Sequence, residues 1–165
     1  MNRMSETTHQ GGWVIIMSIL ISLILTIMPL PEVISLWRPE WTALVLIYWA
    51  LALPERVGVG IAWCVGIFQD VLQVTVLGAH GLAFALIVYL TIQLYQRLRL
   101  VPVWQQMITV FSLLLISRML LLWIRGVMGD SNLSWQFWAP AVTSTLIWPL
   151  VFLILRAVRR RFQVQ

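Results

Sequence analysis

The chain has 165 residues, 61% of them hydrophobic and only 10% charged, with eleven cations, six acids and a formal net charge of +5. A soluble domain carries roughly a quarter charged residues, so so few charges cannot clothe a water-facing surface over this much apolar mass. These figures exclude a soluble globular enzyme, a disordered chain and a disulfide scaffold, and they leave an integral membrane protein of one domain over residues 1–165.

Charge and Pro/Gly punctuation cut the sequence into six apolar stretches, at 13–30, 41–53, 57–77, 79–95, 105–124 and 138–155. A helical crossing needs about 20 apolar residues, within a range of roughly 17–25. The second stretch is short and is expected to borrow length from its flanks or to sit against locally thin bilayer. Runs such as ISLILTIM and FSLLLISRMLLLW are continuously apolar, whereas barrel strands alternate in polarity. Arg3 ahead of the first stretch resembles a signal sequence, but the run ends in Met28-Pro29-Leu30-Pro31 without a small-x-small cleavage site, which predicts a retained anchor. The expected fold is an all-α bundle of six transmembrane helices.

All eleven cations are Arg. With the N-terminus inside, eight fall on the inner side (Arg3, Arg56, Arg97, Arg99, Arg156, Arg159, Arg160, Arg161) and only Arg38 and Arg125 outside. That bias predicts cytoplasmic termini and contact of the C-terminal Arg run with anionic lipid; no nucleic-acid surface is expected. Seven of the ten Trp (13, 37, 41, 104, 123, 135 and 138) fall at the ends of apolar runs, where an indole suits the water–lipid boundary. Cys64 is a lone thiol in an apolar run and reads as a small packing residue.

Two ionisable residues remain at membrane depth, Asp70 and Arg118, each 13 residues beyond the expected inner start of its helix. Both would lie about 20 Å from the inner boundary. An unpaired charge there costs at least ~2.5–3.5 kcal/mol, so an Asp70–Arg118 ion pair is expected, with a neutral Asp70 bonded to Gln69, Gln73 or backbone as the alternative. Small residues at Gly58, Ala62 and Gly66 form a stripe leading to Asp70; Ser18, Ser22 and Thr26 form another, and Gly81 and Ala85 a third. Close helix contact is the plain reading, a ligand-lining role the sharper one. Catalysis is not expected: Asp70 is the one acid at depth, His80 counts as some 15 Å from it along a helix, and no His, Cys and carboxylate set has metal-ligand spacing.

The motif Arg38-Pro39-Glu40-Trp41, the inner turn within YWALALPERVGVG at 48–60, then Gly66, Asp70, Leu77-Gly78, Trp148-Pro149 and the Arg-rich tail together resemble the rod shape-determining MreD family, in its proteobacterial form. The resemblance implies a non-enzymatic, cofactor-free protein of the bacterial inner membrane that binds MreC, whose periplasmic part engages the elongation transpeptidase. It also implies membership of the assembly containing MreB, RodZ and RodA, which supports lateral peptidoglycan synthesis. The implied fold is that of the substrate-binding subunits of energy-coupling-factor vitamin transporters, so a small-molecule or lipid-binding role is the alternative. Candidate partner contacts are Trp37, Arg38 and Trp41 on the outer loop, and Pro54 and Arg56 in the inner turn.

Overall fold

The computed structural model describes residues 11–129 and 134–162; Arg3, His9 and Asp130 lie outside them. The described chain is helical: α1 (Gly12–Ile27), α2 (Glu32–Ser35), α3 (Trp41–Ala52), α4 (Val59–Gln73), α5 (Ala79–Leu98), α6 (Val103–Val127), a 3₁₀ turn (Trp135–Trp138) and α7 (Ala139–Arg161). Each boundary has a local cause. The Pro29/Pro31 pair stops α1 at Ile27, because the residue before proline is driven out of the helical region. Pro102 opens α6 and Pro140 lies in the first turn of α7, positions where a missing N–H costs nothing. The continuation of α4 is broken by Val74 at φ 52°.

Three of these helices are long and apolar enough to cross a membrane: Ala79–Leu98, Val103–Val127 and the continuous Trp135–Arg161 segment. The others, α1, α3 and α4, are shorter apolar helices of 16, 12 and 15 residues. Large apolar side chains such as Ile16, Ile24, Trp63, Val71, Met119, Leu146 and Leu153 point outward, an arrangement hydrocarbon tolerates and water does not. The chain is an all-helical membrane protein.

The short helix α3 is the hub. Thr42 through Leu51 are all buried, packed among α1, α5 and α7. Twelve residues rise only about 18 Å, well short of a bilayer core of roughly 30 Å. α3 is sheathed in protein, and buried backbone need not match lipid thickness. Polar stitches hold it. The Trp49 indole donates to Ser18 Oγ at 2.8 Å, Thr26 and Thr42 hydroxyls meet at 3.3 Å, and the Glu40 N–H donates to Ser144 Oγ at 2.8 Å. The Ser18/Thr26 stripe is therefore a helix-contact stripe.

The two ends of the bundle differ. Arg99, Arg156 and Arg159 line one cavity with Tyr48 and Gln106. Arg38, Arg118 and Arg125 line another with Glu40, Gln69, Gln73 and His80.

Candidate functional site

Asp70 sits in the last turn of α4, fully buried. Val74 at φ 52° and Gly78 at φ 90° turn the chain back on itself, and Gly78 takes that left-handed conformation without the penalty of a Cβ. The reversal delivers four donors to the carboxylate. The Gly78 N–H reaches Oδ2 at 2.8 Å, the His80 N–H is shared between both oxygens at 3.1 and 3.2 Å, the Thr75 hydroxyl donates to Oδ1 at 2.9 Å, and His80 Nδ1 lies 2.6 Å from Oδ1. The carboxylate thus caps the N-terminus of α5 from a neighbouring helix, satisfying N–H groups that have no intrahelical partner and meeting the positive end of the helix dipole.

The expected Asp70–Arg118 pair is not formed. Asp70 pairs with His80 and Arg118 with Glu40. A straight α4 running to residue 77 would carry His80 a helix length from Asp70, whereas α4 ends at Gln73 and the chain folds back, so the two are adjacent. Glu40 lies immediately before α3 and reaches in to Arg118 beside the Phe137 ring, whose centroid is 4.7 Å from the guanidinium carbon. The Arg-Pro-Glu-Trp motif marked the segment without marking this partner.

Glu40, His80 and Arg118 line a cavity of about 230 Å³, together with Arg38, Gln69 and Arg125. Arg38 donates through its two terminal nitrogens to the carbonyls of Thr26 and Met28, at the end of α1. Its Nε is buried without a hydrogen-bond partner, as is Gln69 Oε1. The Arg125 guanidinium carbon also lies over the Phe137 ring, 5.3 Å from its centroid.

A second feature is an apolar groove of about 690 Å³ between α1 and α7, floored by the start of α3. Met17, Ser18, Ile21, Ser22 and Leu25 line one wall, Val151, Ile154, Leu155 and Val158 the other, and Trp41 and Val45 the floor. From Gly11 to Leu25 it follows α1 for about 21 Å. The serine hydroxyls bond back to Ile15 O and Ile19 O, each at 2.7 Å, so the groove offers shape and apolar surface rather than unmet polar groups.

The sequence matches the family of rod shape-determining protein MreD over residues 7–158. The chain belongs to the MreD family. It is 31% identical over 153 residues to the rod shape-determining protein MreD of Haemophilus influenzae, covering 92% of this chain and 94% of that protein. No solved structure matches it. Membership makes this a rod-shape-determining membrane protein.

Within this MreD-family chain the residues singled out from sequence fall into distinct roles. Gly66 is a true packing glycine: a Cβ there would meet Gly81 Cα, Gly81 N and His80 O at 2.5 Å. Ala62 is fully buried. Gly58 is not a packing residue; it precedes α4 in extended backbone, and an added Cβ would meet nothing within 4 Å. Trp37 is exposed, Trp41 floors the groove, and Arg38 is drawn into the cavity. Pro54 and Arg56 form the turn between α3 and α4, closed by Arg56 N–H donating to Leu53 O at 3.0 Å. Residues missed by sequence reasoning are Glu40 and His80, whose roles arise from chain reversals that periodicity does not report.

Proposed function

We propose that this protein is a non-enzymatic scaffold of the elongation complex in the bacterial inner membrane, crossing it six times with both termini inside. It binds MreC by helix packing and thereby supports lateral peptidoglycan synthesis alongside the elongation transpeptidase, RodA, RodZ and MreB. The observation that carries this reading is the apolar groove of α1, α3 and α7. Small residues Ser18 and Ser22 sit along it, so a partner backbone can approach closely, and helix association in lipid rests on such fit rather than on the hydrophobic effect. Charge supports the alternation: Arg99, Arg156 and Arg159 gather around one cavity, consistent with helices that alternate in direction and termini on the inner side.

Several features weigh against chemistry at the Asp70–His80 pair. All four donors on Asp70 serve the helix turn, and among the described residues no hydroxyl or thiol bonds the second His80 ring nitrogen. A vitamin-binding role is not favoured either. The polar cavity of about 230 Å³ falls below the roughly 300–1,000 Å³ usual for small-molecule pockets.

Filling the groove tests the proposal. Ile21→Trp and Ile154→Trp place bulk in it without adding charge, while Ile116→Trp adds the same bulk on α6, outside the groove. In rod-shaped cells depleted of the native protein, the first two should accumulate normally yet leave cells round, and the third should restore rods. Restored rods with both groove variants would refute docking there.

A further inference from the structure

Of the Arg residues not assigned to the inner side, Arg38, Arg118 and Arg125 all converge on the one cavity at the other end of the bundle. The positive-inside bias leaves cations scarce on this side, so their concentration is not a default of composition. Arg118 and Arg125 both lie over one ring, Phe137, at 4.7 and 5.3 Å from its centroid. Among the described residues, Glu40 is the sole carboxylate lining the cavity, and it pairs with Arg118. Arg38 and Arg125 have no carboxylate partner there. Like charges gathered in a half-buried site repel unless an anion joins them.

Two buried polar atoms add an independent sign. Arg38 Nε has an unused donor, and Gln69, 6% exposed and lining the cavity, has an unused acceptor in Oε1. An orphaned buried group costs free energy. The ligand that meets both needs is an anion that also carries a hydrogen-bond donor. Depth narrows it further. The cavity's lining residues Arg38, Glu40, Arg125 and Pro140 stand one or two positions from Trp37, Trp41, Trp123 and Trp138, indoles of the kind that favour the headgroup level, and guanidinium groups match phosphate oxygens in charge and geometry.

We propose that this cavity binds a phosphate ester whose head bears a hydroxyl or ammonium donor, with Arg38 and Arg125 on the phosphate and Gln69 on the donor. The proposal does not depend on the partner groove. The ester could come from a lipid headgroup or from a soluble phosphate ester, and the test separates them. The full chain is purified in mild detergent and incubated with dioleoyl phosphatidylglycerol or phosphatidylethanolamine, and retained lipid is counted by native mass spectrometry. Thermal shifts are recorded with glycerol 3-phosphate. Variants are Arg125→Gln, Gln69→Leu and, outside both the cavity and the C-terminal Arg run, Arg97→Gln. Gln69→Leu removes an unpaired polar group and should fold at least as well as wild type. One retained lipid per chain, weakened roughly tenfold in Arg125→Gln and Gln69→Leu and unchanged in Arg97→Gln, supports a lipid source. Phosphatidylcholine, whose head lacks a donor, should be retained less. A shift with glycerol 3-phosphate that Arg125→Gln abolishes, without lipid retention, supports a soluble ester. Neither retention nor shift, or equal loss in Arg97→Gln, overturns the proposal.

Discussion

Asp70 is a structural anchor whose importance lies in what it holds rather than in any reaction. Fully buried, it cannot lose its hydrogen-bond-accepting oxygens without stranding the Gly78 and His80 N–H groups. Asp70→Asn should lower unfolding stability in detergent by roughly 1–3 kcal/mol, visible as a reduced thermal midpoint; an unchanged midpoint would contradict the capping role. Arg118 and Glu40 form the other polar tie. A double-mutant cycle on Glu40→Gln and Arg118→Gln should give a coupling of roughly 0.5–3 kcal/mol, whereas Asp70→Asn and Arg118→Gln should add within ~0.5 kcal/mol. The reverse pattern would restore the pairing expected from depth alone. That expectation joins Asp70 to Arg118, whereas Asp70 meets His80 and Arg118 meets Glu40. Depth can be counted from residue rise, but lateral adjacency depends on where helices stop, and Val74 carries no sequence signal for its left-handed turn.

Helices α4 and α5 form the tightest contact of the bundle, because Gly66 and Gly81 let two backbones touch. Gly66→Ala would drive a methyl into backbone atoms at 2.5 Å, which cannot yield as a flexible side chain can. The cost should be roughly 1–3 kcal/mol, and the shift would reach Asp70 one turn on. Gly60→Ala, in open space within the same helix, should instead be neutral or stabilise by up to ~1 kcal/mol. Thermal midpoints of the two variants that fell together would undo the close-approach assignment. The spacing of Gly58, Ala62 and Gly66 made this face legible, but it overran the helix start, since a four-residue period says nothing of where the first turn begins. The shortness of α3 was likewise plain in the sequence. Its position at the centre was not, because a short apolar run reads the same whether lipid or protein surrounds it.

For the molecule as a whole, composition made the membrane class legible and the apolar stretches made the helix order legible, while the family motifs carried the functional class. The groove was only half legible. Ser18 and Ser22 marked α1 as a packing face, but its pairing with α7 over the end of α3 comes from tertiary arrangement. The inner turn at Pro54 and Arg56 lies away from this groove, as Trp37 does, whereas Trp41 forms part of its floor. The scaffold role proposed above places partner contact on such faces. Photo-crosslinking in growing cells tests this most directly, with a photoreactive residue at Met17, Ile21 or Ile154 in the groove and at Leu82 or Ile116 outside it. Docking in the groove predicts MreC adducts from the first three positions and none from the last two; adducts confined to Leu82 or Ile116, or none from any groove position while the cells remain rods, would contradict it.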